Sequence, residues 1–113
     1  MKITFFCILT LLMLANTAFA EPKYGVFDVS NNIATISSKA SILHGVYINT
    51  TLSAHTIIIK NATTSVFTIP ASATAGNYYN FNETEFSTNL IIDPDDSATG
   101  SITVIYDDLV RGR

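Results

Sequence analysis

The 113-residue sequence contains no tryptophan and one cysteine, Cys7, and both shortages restrict its chemistry. Cys7 lies in an apolar N-terminal stretch, so the rest of the chain carries no thiol. Beyond that stretch there can be no disulfide, no thiolate nucleophile and no sulfur ligand for a metal. Without tryptophan, the chain also lacks the strongest aromatic platform for stacking on a ligand.

Positive charge is scarce as well. Apart from Lys2, the sequence has five Lys and Arg residues against nine Asp and Glu residues, a net charge of −4. The five basic residues are dispersed, except for Arg111 and Arg113 at the C-terminus. Because nucleic-acid binding needs a clustered basic surface, we expect no nucleic-acid partner.

The first 20 residues have the three parts of a secretory signal. Lys2 supplies the positive charge, an apolar stretch runs from Phe5 to Ala15, and Ala18-Phe19-Ala20 matches the small-x-small cleavage pattern. Asn16-Thr17 interrupts the apolar run before it reaches the roughly 20 residues that a membrane-spanning helix needs. We therefore predict a signal-peptide helix over residues 1–20, cleaved after Ala20, as the chain's only membrane contact. An uncleaved membrane anchor is the alternative.

Residues 21–113 are predicted to form a single domain, since 93 residues suit one domain by size. A chain of this length buries about 60% of the surface that its unfolded form exposes. That is enough for one core but leaves little stability to spare. Association with copies of itself or with a partner is therefore expected.

The stretch from Ser41 to Lys60 shows the fold class most clearly, because two apolar runs flank a short polar segment. Ile42, His44, Val46 and Ile48 alternate with other residues, which predicts a strand with these four on one face. In the second run Ile57, Ile58 and Ile59 are consecutive, so both faces of that strand carry β-branched side chains.

Similar patterns predict seven or eight short strands in all. Besides the strand that starts at Ser41, they are Tyr24–Val29, Ile33–Ser37, Thr56–Lys60, Ser65–Ile69, Tyr78–Phe81, Phe86–Ile92 and Ser101–Tyr106. Asn61-Ala62-Thr63 predicts a hairpin turn, Asp93–Ser97 predicts another turn, and Asp107 and Asp108 are expected to fray with the tail. With no convincing helix after residue 20, the sequence predicts an all-β, antiparallel β-sandwich that is jelly-roll-like.

No set of residues predicts a catalytic or cofactor site. His44 and His55 are the only histidines. A zinc site would need at least one more nitrogen or sulfur ligand, and a hydrolytic triad would need a nucleophile in a recognisable turn. We expect His44 to be a packed or rim histidine. Glu83 and Glu85 suggest glycoside hydrolysis only weakly, since no aromatic platform accompanies them. We therefore predict no enzyme activity and no cofactor.

The acidic residues Asp93, Asp95 and Asp96, together with Asp107 and Asp108, offer a calcium alternative. Their spacing does not match the twelve-residue calcium loop, so a solvated turn is expected instead. The tyrosines and phenylalanines are expected to fill the core. Three matches to the Asn-x-Thr glycosylation pattern, at Asn49, Asn61 and Asn82, carry little information in a chain this rich in Asn and Thr.

Five segments between Ile42 and Tyr106 share their order and pattern with a known family. They are Leu43–Asn49 (LHGVYIN), Thr56–Asn61 (TIIIKN), Thr68–Ala73 (TIPASA), Phe86–Ile92 (FSTNLII) and Gly100–Tyr106 (GSITVIY). Together they resemble small all-β proteins encoded by tailed bacteriophages. The resemblance implies a virion-associated or surface-decorating structural protein without an active site, whose partners are copies of itself or a virion or cell-surface lattice.

The chain departs from the family pattern at two places. Asn89 stands where the family has glycine, and since Asn tolerates a positive φ, we expect the turn to keep that conformation. The signal sequence is the second departure, because tailed-phage capsids assemble in the cytoplasm. Either the protein is a phage-derived module displayed outside the cell, or residues 1–20 are kept as an apolar segment within an assembly.

These observations predict a non-enzymatic structural protein that self-associates, located in a virion or in the extracellular or periplasmic space. The alternative is a secreted module that binds a carbohydrate or a receptor through the loops Asn49–His55 and Pro70–Asn77. A secreted hydrolase is the weakest of the three hypotheses.

Overall fold

The computed structural model describes residues 22–109, so the predicted signal peptide lies outside the described residues. Within this range the chain forms eight strands and a three-residue 3-10 helix, Val29–Asn31. The strands are β1 (Lys23–Asp28), β2 (Ala34–Ser37), β3 (Ser41–Thr50), β4 (Ile57–Asn61), β5 (Thr64–Ile69), β6 (Tyr78–Phe86), β7 (Leu90–Pro94) and β8 (Ser101–Asp108). Among these residues, no helix has the length and apolar character needed to cross a membrane.

The strands form two antiparallel sheets of four. The first sheet has the order β1-β8-β3-β6 and the second the order β2-β7-β4-β5. Four of the pairings are nested: β1 with β8, β2 with β7, β3 with β6 and β4 with β5. The all-β, antiparallel prediction is confirmed, as is the predicted hairpin of β4 and β5.

One hydrophobic core contains side chains from both sheets. Its fully buried members include Leu43, Val46, Ile48, Phe86, Ile102 and Val104 from the first sheet, and Ile57, Ile59, Ile69, Leu90 and Ile92 from the second. Phe67 on β5 extends the contact between the sheets, because its ring lies 5.1 Å from that of Phe81 and 5.8 Å from that of Tyr79, both on β6. Burying these β-branched and aromatic side chains supplies the main driving force for folding.

The predicted face of β3 is right for Val46 and Ile48 and wrong for Ile42 and His44, because a β-bulge at His44 shifts the alternation. The register of β3 shifts between Leu43 and Gly45 against both of its neighbours. This extra residue reverses the alternation, so the core receives Leu43, Val46 and Ile48, whereas Ile42 is only half-buried. His44 itself is 24% exposed.

The predicted strand Phe86–Ile92 is in fact two strand ends with a turn between them. Phe86 ends β6 and Leu90 begins β7, and both are fully buried. The intervening backbone is held by Asn61, whose Oδ1 accepts hydrogen bonds from the N–H groups of Thr88 at 3.0 Å and Asn89 at 3.4 Å. Asn89 does not have the positive φ that its place in the family pattern suggested. Its Oδ1 instead accepts a hydrogen bond from the Ala62 N–H at 2.7 Å.

Two further sequence predictions fail at strand ends. Asp107 and Asp108 do not fray, because they lie opposite Ile42 and Ser41 in the pairing of β8 with β3. The predicted turn Asp93–Ser97 begins later than expected, since Pro94 still lies opposite Ile57 in β7. Tertiary pairing extends both strands beyond the point at which the sequence pattern becomes polar.

Candidate interaction surfaces

The two loops predicted as ligand-binding candidates lie side by side. Backbone hydrogen bonds connect them: the Leu52 N–H donates to the Ala73 carbonyl at 2.9 Å, and the Ser72 N–H donates to the Ser53 carbonyl at 2.8 Å. The loop after β7 joins them, because the Ser53 N–H donates to the Thr99 carbonyl at 3.1 Å. The loops after β3, β5 and β7 therefore form one hydrogen-bonded unit, which we call the loop end.

Apolar anchors hold the loop end against the core. Leu52, Ala73 and Ala98 are 3%, 5% and 2% exposed. Gly100 lies against Leu52 with a φ of +127°, and a Cβ at this position would be 2.7 Å from Leu52 Cδ2. These loops are thus fixed by burial as well as by hydrogen bonds, which favours a rigid surface over a mobile one.

His55 is paired with a carboxylate beside the loop end. Its Nδ1 lies 2.9 Å from Asp95 Oδ2. The hydrogen bond from His55, followed by one from the Asp96 backbone N–H, holds the pKa of Asp95 below its ordinary value of 3.8. A shallow groove next to this pair is lined by Thr56, Ile58 and residues 93–96.

Two of the other predicted acidic residues, Asp93 and Asp96, line the same groove as Asp95. Asp93 forms an ion pair with Lys60 at 2.6 Å. Asp107 and Asp108 do not line this groove and lie at the end of β8, opposite Ile42 and Ser41 of β3. Within residues 22–109 there is no group of three or more His, Cys, Asp or Glu side chains that could hold a metal ion. The acidic residues of the calcium alternative therefore fall into two groups, with Asp93, Asp95 and Asp96 at the groove and Asp107 and Asp108 at the end of β8.

His44 and Asp107 form the second histidine–carboxylate pair. His44 Nε2 is 2.8 Å from Asp107 Oδ2, and the Asp107 side chain is 15% exposed. The other oxygen of Asp107 is buried and has no hydrogen-bond partner among the described residues. The two predicted histidines thus lie in separate pairs, each with one aspartate.

Asp108 is tied to the start of the chain's first strand. Its Oδ2 lies 2.6 Å from Lys23 Nζ, and its Oδ1 accepts a hydrogen bond from the Ser37 hydroxyl at 2.8 Å. These two hydrogen bonds, that from Lys23 first, hold the pKa of Asp108 below its ordinary value of 3.8. Asp108 thus connects β8 with β1 and with the end of β2.

The lowered pKa of Asp108 predicts a loss of stability in acid. Because the folded protein keeps this carboxylate charged, its contribution to stability is present above its ordinary pKa of 3.8 and is lost as the pH falls below that value. We expect Asp108→Asn to reduce the free energy of unfolding at neutral pH and to flatten its decline between about pH 5 and pH 2. Urea unfolding at several pH values measures both effects. Asp96→Asn, at an exposed turn position, is the control, and an unchanged acid dependence in Asp108→Asn would contradict the expectation.

The two glutamates considered for hydrolysis lie on the edge strand β6. Both are exposed, and Glu83 follows Asn82 in a segment where both residues have positive φ, at +60° and +49°. Two of the three glycosylation-pattern asparagines bond within the fold, since Asn49 donates to Thr103 and Asn61 donates to Ser87. None of these residues lines the groove beside Asp95.

A row of side chains that the sequence did not predict crosses the outer face of the first sheet, opposite the core. The strand registers place Val26 beside Thr103, Thr103 beside Tyr47, and Tyr47 beside Tyr78. Val26 is 72% exposed, Tyr47 41% and Tyr78 48%, and Tyr24 on the same face of β1 is 77% exposed. The prediction that the tyrosines fill the core is therefore wrong for these three.

Gly45 makes this face flat. The Tyr78 ring lies over Gly45, in the space that a Cβ at that position would occupy. Thr103 is fixed by Asn49, which donates to its Oγ1 at 2.8 Å. The face thus presents aromatic and aliphatic groups on a well-connected sheet, and the signal for it in the sequence is the glycine between His44 and Val46.

The four edge strands of the described sheets differ in how well they are protected from pairing with another chain. Irregularities that disfavour edge pairing occur in three of them. β2 has four residues and a register shift, β5 has a register shift in its pairing with β4 and is followed by Pro70, and β6 contains the two positive-φ residues. β1 pairs with β8 over six residues without a register shift. β1 is therefore the regular, unprotected edge.

Comparison with known proteins adds no relative to this picture. The chain matches no protein-family model, and no curated protein or solved structure is similar to it above the level expected by chance.

Proposed function

We propose that the protein is a non-enzymatic structural module that self-associates, in a virion or as a surface-decorating subunit. The observation that carries the proposal is the outer face of the first sheet, where Tyr24, Val26, Tyr47 and Tyr78 are exposed beside the regular edge strand β1. Contiguous exposed apolar groups on a small domain mark interaction surfaces more often than chance.

The strand order supports the structural interpretation. We infer that the two sheets form a β-sandwich of the jelly-roll type. In a jelly roll one long antiparallel hairpin is wound into two sheets, and the four nested pairs, from β1 with β8 to β4 with β5, are the pairs that such a hairpin contains. Viral capsid domains use this architecture, as do lectins. A fold alone does not determine function. We therefore base the choice of a virion-type structural role over a lectin-type role on the sequence resemblance to tailed-phage proteins and on the exposed face.

Self-association is the first test. We expect sedimentation velocity of the purified chain to give a discrete oligomer whose population rises with concentration, because association would bury exposed apolar groups on and beside β1. Mass spectrometry of the same sample identifies its N-terminus, for which cleavage after Ala20 is expected. A monomer at the highest concentration reached would contradict the proposed function.

A secreted binding module is the alternative, and the loop end is the observation that favours it. The loops after β3 and β5 are joined by backbone hydrogen bonds and anchored by Leu52 and Ala73, so they are pre-organised. Binding to a glycan array that is lost when loop residues are replaced, with the chain monomeric throughout, would favour this alternative. A rise in melting temperature on adding calcium would favour it as well.

A further inference from the structure

On one side of β1 the backbone N–H and C=O groups pair with no described strand. The Val29 N–H donates to the Gly100 carbonyl at 3.0 Å, continuing the register in which Asp28 lies opposite Ser101. In an antiparallel ladder, successive residues direct their N–H and C=O groups to opposite sides. Counting back by two from Val29, residues 27, 25 and 23 face β8. The N–H and C=O groups of Tyr24 and Val26 therefore point away from the sheet, whereas the Asp28 carbonyl, at the N-cap, serves the 3-10 helix that follows.

We propose that this edge pairs antiparallel with β1 of a second copy, joining two first sheets into one continuous sheet of eight strands. The inference rests on the proposed self-association and identifies the surface that performs it. β1 qualifies because it is regular over six residues and carries Tyr24 and Val26, which are 77% and 72% exposed. Main-chain hydrogen bonds between strands would supply affinity, and the side chains would set the register.

Charge favours a second copy in the antiparallel orientation. β1 begins with Lys23 and ends with Asp28. Antiparallel pairing of two such strands brings each lysine towards the aspartate end of the other strand, whereas parallel pairing places like charges together. Charge therefore argues against parallel, in-register pairing. It adds no ion pair to the antiparallel arrangement, because Lys23 already pairs with Asp108 of its own chain.

The side chains of β1 indicate where the two-fold axis that relates the two copies would pass. The outer faces of the two sheets stay on the same side only if the axis is perpendicular to the sheet. An axis through Gly25 then places Tyr24 opposite Val26 of the second copy, and Val26 opposite its Tyr24. Two aromatic–β-branched pairs result, which are favourable cross-strand pairs. The row from Val26 to Tyr78 would continue into the second copy.

Val26→Pro is the test, because it removes an N–H that points away from β8 and pairs with no described residue. Proline is tolerated on edge strands where the N–H faces solvent, so the fold should persist. Each dimer would lose two main-chain hydrogen bonds, and we expect association to weaken by about 30-fold or more. Val26→Thr keeps the N–H and the β-branch and is the matched control. Sedimentation of the full chain measures association, and near-UV circular dichroism measures folding.

The outcomes separate this inference from the proposed function. Loss of the oligomer in Val26→Pro, with Val26→Thr unaffected, supports pairing at β1. An oligomer of unchanged stability in a folded Val26→Pro overturns pairing at β1 and leaves self-association standing. A parent chain that is monomeric at all concentrations overturns both.

Gly25→Cys provides a second measurement that does not depend on how well proline is tolerated. A Cβ at Gly25 would meet nothing within 4 Å, so the cysteine should fit. Residue 25 of each copy would face residue 25 of the other across the axis, in a non-hydrogen-bonded pair. The Cα separation of such a pair is about 4.5 Å, which lies within the range of disulfides. Oxidation should therefore give a disulfide-linked dimer, whereas Val66→Cys on the edge strand β5 should not. No dimer, or a cross-link to Cys7 that shows the N-terminal segment on this edge, would overturn the proposal.

Discussion

Replacing Ile59 with alanine is expected to reduce the free energy of unfolding by about 2–5 kcal/mol, whereas the same change at Ile58 costs far less. Ile59 is fully buried in the core on β4, and its neighbour Ile58 lies on the opposite face, only partly buried. Removing buried methylene groups loses their transfer free energy and leaves a cavity. Since domains of this size are stable by only about 5–15 kcal/mol, Ile59→Ala should bring the protein close to unfolding.

The adjacent isoleucines make this a matched comparison. Both variants remove the same atoms from the same strand, so β-propensity changes equally and only burial differs. Urea unfolding, with the slope compared between variants, gives the two free energies. Equal losses at Ile58 and Ile59 would mean that both faces of β4 are covered. That result would contradict the arrangement in which β4 faces the core with one side alone.

Gly100→Ala is expected to cost about 2–3 kcal/mol through backbone strain and a steric clash together. The φ of Gly100 is +127°, which side-chain-bearing residues rarely adopt, and a new Cβ would lie 2.7 Å from Leu52 Cδ2 and 3.3 Å from Leu52 Cα. Because Leu52 anchors the loop end, the change should also increase amide hydrogen exchange in the loop after β3.

Two other glycines separate the effect of backbone strain from that of the steric clash. Gly76 has a φ of +94° but open space around its Cβ position, so Gly76→Ala should show strain alone, about 1–2 kcal/mol. Gly25 has open space and no left-handed φ, so Gly25→Ala should be neutral or slightly stabilising. Equal effects at positions 76 and 100 would show that the contact with Leu52 contributes nothing.

Two-residue alternation predicted most of the strands, because burial on one face of a sheet imposes that period. It failed where the backbone departs from the period. The bulge at His44 cannot be recognised from alternation, since Leu43 and Ile42 are equally apolar and either could face the core. The turn at Ser87–Asn89 was missed because its stabilising groups come from Asn61, which is distant in the sequence.

The candidate surfaces were predictable to different degrees. In the polar segment Asn49–His55 (NTTLSAH), Leu52 is the one large apolar residue, and it is the anchor of the loop end. The exposed row on the first sheet could not be predicted in this way. Val46 and Tyr47 are adjacent and both bulky, so the sequence does not show which of the two is buried. Only the register with β6 and β8 shows which of them faces outward. The unprotected nature of β1 likewise depends on strand order, which local sequence patterns do not contain.

The pairing of the first strand with the last has a consequence for biogenesis. Lys23 lies opposite Tyr106, so the first sheet can be completed only after β8, some 80 residues further along the chain, has been synthesised. Contacts between residues so distant in sequence make folding slow, typically milliseconds to seconds for all-β domains. A chain emerging from the ribosome would therefore keep its first sheet open until β8 appears, a state that would suit the proposed export, in which the chain threads through a translocation channel before it folds.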